Sequence, residues 1–176
     1  MNNVKLLPCP LCGSKAEIEV DSNYYGVNCT SQWCFYDDYD GLQNFTSYEE
    51  AANAWNRLAE EPVQIIDNAT FTADGVMRGT SIDMQCKWTD ENGNPIAEFT
   101  ICDWWDGVNV TDLEVYEEYR GKGLSYKILD CAVKKCGARN LTVKKNNHIA
   151  KHVYDKYGFE VVDEDSYAYY MSYIEH

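Results

Sequence analysis

The sequence predicts an α/β (α+β) fold in two parts, and three patterns lead to that prediction. The first part is short and carries four cysteines in two pairs, which is typical of a small domain organised by its cysteines. In the second part, alternating apolar stretches follow one another through turn residues, which predicts neighbouring strands. Two helical stretches separate the last strands without a repeated crossover, so we expect a mixed, mostly antiparallel sheet.

Length and composition set the class of protein. At 176 residues the chain has room for one domain or two small ones. It has no apolar run of about 18 residues, so no membrane span is expected. Residues 1–7 lack the apolar stretch of a secretory signal, so we expect a cytoplasmic protein. In a reducing compartment, its eight cysteines are expected to be free, metal-bound or catalytic rather than disulfide-bonded.

The net charge of −14 is unevenly distributed along the chain. Residues 120–156 carry ten Lys and Arg against two Asp, a balance of about +8, which leaves about −22 for the rest. A basic segment suits a phosphate-bearing ligand, although a solvated helix face gives the same pattern. The acidic remainder argues against direct nucleic-acid binding, which needs basic surface.

The stretch Val108–Ser125 joins a strand to a helix through a glycine loop. Apolar residues alternate on both sides of a one-residue slip at Thr111 and Asp112, which predicts a strand with a bulge. Gly121 and Gly123 follow, and the chain then enters a helical pattern. The unpaired amides of such a loop and helix start can bind an anion. An ordinary strand-to-helix turn is the alternative.

This stretch resembles motif A of the GNAT family of acetyl-CoA-dependent N-acyltransferases. The family's Arg-x-x-Gly-x-Gly/Ala run corresponds to Arg120-Gly121-Lys122-Gly123-Leu124-Ser125, with Ser125 where the family has Gly or Ala. Farther on, a run that begins at Asn147 and ends in Gly158-Phe159 is similar to the family's motif B. The resemblance covers roughly Gly79 to Ile174. It implies a compact GNAT fold and acetyl-CoA as cosubstrate.

The resemblance also implies which residues hold the cosubstrate and which give a proton to the leaving thiol. Tyr154 matches the motif B tyrosine, the usual general acid of the family, with helix-to-sheet packing as its alternative role. A backbone amide of the open strand, at Val115 or its neighbour, is expected to polarise the acyl carbonyl. The residues expected to contact the cosubstrate are Leu113, Val115, Arg120, Gly121, Lys122, Gly123, Leu124, Ser125 and Asn147.

The sequence offers several candidates for the general base. Two positions where relatives carry a glutamate hold Val110 and Thr142 here. The nearest carboxylates are Asp112 and Glu114, which strand alternation puts on one side, away from Leu113 and Val115. They are the predicted candidates for the base, with Asp103 or a chain of water molecules as alternatives.

The first third of the chain contains a cysteine pattern typical of a zinc ribbon. Its spacing is C-x2-C-x16-C-x4-C, and the four cysteines are Cys9, Cys12, Cys29 and Cys34. Four thiolates at this spacing form a closed tetrahedral site, which predicts structural Zn2+. So short a segment needs the metal because its own core is small. Two disulfides, a rubredoxin-like iron site and buried free thiols are the alternatives.

A helix is predicted to follow the ribbon. Ser47-Tyr48-Glu49-Glu50 is a capping box, and the helix it starts runs through Leu58, with Trp55 in the core. Residues 5–59 resemble the Lar-type restriction-alleviation family, whose members are mostly small phage and prophage proteins. The matching helix sequence is Ala51-Ala52-Asn53-Ala54-Trp55-Asn56-Arg57. The predicted domains are therefore a Lar-like four-cysteine zinc ribbon at residues 1–61 and a GNAT acetyltransferase domain at residues 62–176.

These resemblances predict an N-acetyltransferase whose acceptor is an amine. Residues 63–79 leave little room for the two helices that usually wall the acceptor site, so we expect an open groove. The favoured acceptor is a lysine on a host protein with a basic surface, in a phage or prophage counter-defence setting. The alternatives are a CoA-binding module without turnover, an acidic DNA mimic that inhibits a host defence protein, and a small-molecule amine acetyltransferase.

Overall fold

The computed structural model describes residues 4–31, 34, 42–60, 64–78, 81–104 and 107–174. Its contacts divide the chain into two compact units. One is Met1–Val63 with Thr72–Met84, and the other is Gln64–Phe71 with Gln85–His176. The domain limits predicted from the sequence, 1–61 and 62–176, stay a prediction.

The first unit contains a three-stranded antiparallel sheet in the order β1-β2-β3. Its strands are β1 (Ala16–Asp21), β2 (Tyr24–Cys29) and β3 (Leu42–Phe45). Helix α1 (Tyr48–Glu60) packs against this sheet and buries Trp55 completely. The apolar face of α1 therefore supplies the core that this small sheet lacks by itself.

Ser47 caps the start of α1 as predicted. The Ser47 hydroxyl oxygen accepts a hydrogen bond from the Glu50 amide at 3.2 Å. The Glu50 carboxylate in turn accepts from the amide of Thr46 at 3.1 Å and from its hydroxyl at 2.8 Å. The buried Trp55 indole donates to the Leu7 carbonyl at 2.9 Å. The N-cap role of Ser47 and the core position of Trp55 are confirmed, whereas Glu50 bonds Thr46 rather than the Ser47 amide that a capping box would use.

A seven-stranded sheet has the order β4-β5-β6-β7-β8-β10-β9. Its β6–β7, β8–β10 and β9–β10 pairs are antiparallel, whereas β7–β8 is parallel, so the predicted mixed, mostly antiparallel sheet is confirmed. The strands are β4 (Thr70–Arg78), β5 (Ser81–Thr89), β6 (Pro95–Trp104), β7 (Gly107–Val115), β8 (Asn140–Lys144), β9 (Phe159–Glu164) and β10 (Ala168–Tyr173).

Strand β4 was not expected from the sequence, which predicted no element for residues 63–79. The more buried positions of β4 fall on alternate residues, Phe71, Ala73 and Gly75. Two of these three are small, so the alternation of hydrophobicity is weak although the strand is real. Among residues 64–78 and 81–104 the structure contains strands and turns but no helix.

The helix after the glycine loop is continuous but not uniform. Helix α2 (Leu124–Asp130) continues directly into a π-helical turn at Cys131–Lys135. The Cys136 amide donates to the Cys131 carbonyl at 3.1 Å, five residues back. Gly137 then takes the left-handed conformation at φ 67°, which ends the helix as predicted.

The strand register divides the sheet into two faces. On one face, Val110 lies beside Leu141, Leu141 opposite Met171, and Met171 opposite Val161. Phe159 shares this face, since it lies two residues from Val161. We call this surface the helix-covered face, because the helices of the second unit pack on it.

Helix α3 reaches the helix-covered face through aromatic side chains, and one of them also contacts α2. In helix α3 (His148–Tyr157), the rings of Tyr154 and Tyr157 lie 6.2 and 6.0 Å from that of Phe159. The Tyr157 hydroxyl also donates to Asp130 of α2 at 2.9 Å. Tyr157 therefore joins α2 to α3 above the sheet.

The opposite surface of β8, β10 and β9 carries polar side chains, and we call it the open face. The register places Thr142 opposite Tyr170, Tyr170 opposite Asp163, and Lys144 and Glu160 on the same side. All five side chains are exposed. Among the described residues, no helix is both long and apolar enough to cross a membrane.

Candidate functional site

The middle of β7 contains the predicted bulge. Thr111 lies opposite Thr100, and Glu114 lies opposite Glu98, so two residues of β7 face one residue of β6 between these pairs. Asp112 is one of the two and has a left-handed backbone at φ 51°. An extra residue increases local twist and bends the strand, which turns the end of β7 away from its straight course.

Beyond the bulge, β7 and β8 are no longer paired. Their parallel register consists of Asn109–Asn140 and Val110–Leu141, while β8 continues beside β10 as far as Lys144. Within the described residues, the final part of β7 is therefore paired on the β6 side alone. We call the resulting gap between β7 and β8 the splay.

Two residues of β7 direct their backbone groups into the splay. The Tyr116 amide donates to the Ile96 carbonyl of β6 at 3.0 Å. Because strand residues alternate in direction, the amides and carbonyls of Val115 and Leu113 point away from β6. The Val115 carbonyl accepts from Arg120 Nε at 2.8 Å, which leaves the Val115 amide directed at the splay.

The glycine loop follows directly after this strand end. Gly121 and Gly123 both have left-handed backbones, at φ 74° and 73°, and a Cβ at either position would meet nothing within 4 Å. Gly123 is the N-cap residue of α2. The Lys122 ammonium lies 4.9 Å from the centre of the Tyr119 ring. The loop is thus held in a conformation that costs glycine little and other residues more.

The amides of this loop are available to a ligand. In the described part of the chain, the amides of residues 121–125 donate to no protein acceptor. They surround the start of the continuous helical segment 124–135, where the helix dipole adds positive charge. With Arg120 and Lys122 beside them, these groups have the character needed to hold a phosphate.

The two motif B residues have distinct surroundings. The Asn147 side-chain oxygen accepts from the Ala150 amide at 3.1 Å, so this residue caps the start of α3. Tyr154 is buried on the helix-covered face, with an edge-on contact to Phe159. Burial raises the pKa of the Tyr154 phenol above its ordinary value of 10.0. A phenol with a raised pKa stays protonated and can donate a proton.

The predicted base candidates lie near the bulge. Glu114 and Asp112 are both exposed, and a Glu114 carboxylate oxygen is 3.6 Å from Arg120 Nη2. The register puts Glu114 on the same face as Thr111, Asn109 and the open face. The left-handed backbone of Asp112 interrupts the alternation of the strand. The alternation that predicted Asp112 and Glu114 on one side of β7 therefore does not determine which way the Asp112 side chain points.

Glu98 was missed from the sequence, and the register brings it to this site. It lies directly opposite Glu114 and on the same face, half-buried within the mostly buried strand β6. A charged residue among the apolar neighbours of β6 was the available signal. Asp103, the alternative base, is five residues farther along β6 and pairs with Val108, about 17 Å away from Glu98 along the strand.

The predicted cysteine cluster also forms. The Sγ atoms of its four cysteines all lie within 4.8 Å of one another. Cys9 and Cys34 are 3.5 Å apart and Cys12 and Cys29 are 3.4 Å apart. A disulfide needs about 2.05 Å, whereas sulfurs at about 2.3 Å from a tetrahedral metal are about 3.8 Å apart. These separations fit a metal site better than two disulfides.

The closeness of the four thiols moves their pKa values in different directions. Hydrogen bonds from Cys34 and Cys9 hold the pKa of Cys12 far below its usual value. The hydrogen bond to Cys12 raises the pKa of Cys9 to about 12, and burial raises that of Cys29. The thiols alone therefore share few negative charges, since neighbouring thiolates repel. A divalent cation would allow all four to ionise.

Comparison with known proteins gives one family. A profile of the family described as Acetyltransferase (GNAT) family matches residues 47–159, which is well over half of the chain. The matched span contains the glycine loop, the splayed end of β7 and all of α3. No curated protein matches the chain.

Several solved structures resemble the chain. A nourseothricin acetyltransferase is 18% identical, with a TM-score of 0.46, over 63% of this chain and 89% of that chain. The PaiA N-acetyltransferase from Thermoplasma acidophilum, in complex with coenzyme A, is 19% identical (TM-score 0.43; 53% and 61% covered). The IAA acetyltransferase from Bacillus cereus ATCC 14579 is 15% identical (TM-score 0.45; 52% and 77% covered).

Proposed function

This chain belongs to the GNAT acetyltransferase family, and we propose that it moves acetyl from acetyl-CoA to a lysine amine of a basic protein partner. The observation that carries the proposal is the course of residues 107–125. There the unpaired end of β7 leads directly into a loop with unpaired amides. The backbone groups of β7 can bind a ligand that lies along the splay, and the loop can bind a phosphate. Together they suit an extended ligand with a phosphate at one end.

In this proposal, the two parts of coenzyme A bind to two parts of the segment. The loop from Arg120 to Ser125, including Gly121, Lys122, Gly123 and Leu124, holds the pyrophosphate. The backbone groups of Leu113 and Val115 hold the pantetheine arm in the splay. Asn147 supports this arrangement indirectly by capping α3, which carries Tyr154.

The proposed reaction is a direct acyl transfer. The neutral amine attacks the thioester carbonyl carbon, a carbon–nitrogen bond forms and the carbon–sulfur bond breaks. The Val115 amide stabilises the developing oxyanion, and the Tyr154 hydroxyl protonates the departing thiolate. The Glu114 or Asp112 carboxylate takes the proton that the amine loses. Solvent then accepts the proton from the carboxyl group and returns one to Tyr154, which completes the cycle.

We also propose that Cys9, Cys12, Cys29 and Cys34 hold one Zn2+ as a structural ion. The four sulfurs are close enough together, and three of the four residues are buried. With four protein ligands the metal would have no open position for a substrate, so it would stabilise the fold rather than take part in acyl transfer.

The resemblance of residues 5–59 to Lar-type proteins supports a phage or prophage setting, with a host defence or transcription protein as acceptor. Acetylation would remove a positive charge that such a protein uses on nucleic acid. The acidic majority of the chain would attract this partner, since its charge is opposite.

The test uses the full-length protein with labelled acetyl-CoA and three acceptors: a lysine-containing Arg-rich peptide, spermidine and an aminoglycoside. We expect CoA release matched by acetylation of the peptide lysine. CoA binding without release would instead identify a non-catalytic module. Acetylation of spermidine or the aminoglycoside alone would identify a small-molecule enzyme. If the Gly123→Glu variant still inhibits a DNA-binding protein, the chain acts as an acidic mimic of DNA.

A further inference from the structure

The open face is an exposed surface at one end of the sheet. It spans three neighbouring strands, β8, β10 and β9, and the strand spacing makes it about 10 Å wide. Its central side chain is Tyr170, which is 40% exposed although it lies on an inner strand. Its strands are five or six residues long, so an extended segment of about five residues fits along them.

The charge on this surface is mostly negative. Glu160 and Asp163 project from β9, and Asp165 lies beside them because its carboxylate accepts from the Tyr170 hydroxyl at 3.0 Å. The register also places the cation Lys144 on this face. The neighbouring Lys145 instead lies near Tyr169 on the helix-covered face, 4.9 Å from the ring centre, and pairs with Glu164.

The open face is continuous with the proposed transfer site. Thr142 lies on β8 one residue beyond the last β7–β8 pair, so it borders the splay. Across the splay, the register puts Glu114 and Glu98 on the same face as Thr142. A peptide segment lying on β9 and β10 would therefore bring the residues that follow it to the splay. It would approach the splay from the face of the sheet opposite to α2 and α3.

We infer that the open face is the docking surface for an extended, positively charged segment of the acceptor protein, which places its lysine at the splay. This inference rests on the proposed function. The charges favour such a segment over a second copy of this chain, since two copies would bring Glu160 and Asp163 against the same acids.

The test uses the full-length protein and a fluorescein-labelled Arg-rich peptide with one central lysine. The variant is the double charge reversal Glu160→Lys with Asp163→Lys. Its matched control is Glu91→Lys with Asp67→Lys, two exposed acids outside the open face that give the same change in net charge. Fluorescence anisotropy measures peptide binding, and circular dichroism confirms that each variant is folded.

We expect the open-face variant to weaken peptide binding by about tenfold or more, and the control to change it by less than about threefold. The variant should raise the KM for the peptide with kcat and the KM for acetyl-CoA unchanged. Equal binding by the variant and the control overturns the docking surface. A dimer of the parent protein that the variant abolishes also overturns it, because a second copy would then be the occupant.

The docking surface and the proposed function can fail separately. Peptide binding that depends on Glu160 and Asp163, without acetylation of any amine, would support the docking surface and contradict the transfer reaction. Acetylation of the peptide at the same KM in every variant would support the transfer reaction and contradict the docking surface.

Discussion

Tyr154 has the surroundings of a proton donor. Burial raises the pKa of its phenol, so the hydroxyl remains protonated at pH values where an exposed tyrosine ionises. Its ring is fixed by an edge-on contact with Phe159 and by the helix that Asn147 caps. Because the hydroxyl is already fixed and protonated, little entropy is lost in positioning it when the thiolate leaves.

For Tyr154→Phe we therefore expect turnover to fall by about 100-fold, with the KM for acetyl-CoA unchanged, because the variant lacks only the transferable proton. Because burial raises the pKa of this phenol above its ordinary value of 10.0, the alkaline decline in the activity of the parent protein should lie above the pH at which an exposed tyrosine ionises. This alkaline decline should be absent from the variant. Rates measured between about pH 7 and 11 check both expectations.

The matched control is Tyr157→Phe, which removes a hydroxyl from the same helix. That hydroxyl bonds Asp130, so its loss should reduce thermal stability and leave the turnover of folded protein unchanged. If Tyr154→Phe weakens acetyl-CoA binding and turnover in parallel, Tyr154 has a packing role instead.

Two substitutions at Gly123 distinguish the effect of backbone strain from the effect of negative charge in the loop. Its φ of 73° disfavours any side chain by about 1–2 kcal/mol, although there is open space around it. Gly123→Ala should therefore cost stability but keep acetyl-CoA affinity within about threefold. Gly123→Glu adds a negative charge beside the phosphate site and should weaken affinity by about 100-fold or more. Titration calorimetry measures both, and equal affinities would contradict the phosphate loop.

At the scale of elements, the sequence predicted most of what depends on local chemistry. The slip at Thr111 and Asp112 predicted the bulge, and Ser47 with Glu50 predicted the start of α1. Strand β4 escaped prediction because small residues occupy its more buried positions. The π-helical turn was also not predicted, since a helical pattern does not report a bond made five residues back.

The pairing of elements was harder to predict than the elements themselves. Glu98 gains its position from the β6–β7 register, which depends on the bulge two residues before Glu114. The direction of Asp112 likewise depends on one left-handed backbone angle. Neither follows from periodicity, because a one-residue shift exchanges the faces of a strand.

The end of α3 offers a test of packing at a helix terminus. Gly158 has φ 117°, and a Cβ there would lie 3.2 Å from a ring carbon of Tyr173. Gly158→Ala should therefore lower the free energy of unfolding by about 2–4 kcal/mol, through backbone strain and a close contact. Gly93→Ala is the control, since Gly93 has φ 83° and open space. Its cost should be about 1–2 kcal/mol.

Urea denaturation measures both Gly variants. Equal destabilisation by the two would mean that Tyr173 moves aside without cost, and that the tight contact at the end of α3 does not matter for stability.

At the scale of the whole molecule, the chain combines a basic segment with an acidic remainder and a cysteine cluster. We expect purified protein to contain one zinc per chain, because four thiols in one cluster form one site. Cys12→Ser should lose most of the zinc and unfold the first unit at a lower temperature. Elemental analysis and thermal denaturation measure these effects.

Cys131→Ala serves as the control for the zinc prediction. Cys131 is buried in the π-helical turn and lies outside the cluster, so this variant should keep its zinc. Protein that contains no zinc when purified from zinc-supplemented medium would contradict the metal site.

The splay affects the rate at which backbone amides of β7 exchange their hydrogen with solvent. A strand amide with no partner exchanges its hydrogen for deuterium almost as fast as in an unfolded peptide, whereas paired amides are slower by orders of magnitude. Without ligand, the amides of Leu113 and Val115 should therefore exchange rapidly while that of Glu114, directed at β6, remains protected. Acetyl-CoA should slow the two fast amides. We expect amide exchange rates to alternate between fast and slow along this end of β7, and we expect acetyl-CoA to remove that alternation. Such a result would identify where the ligand completes the sheet.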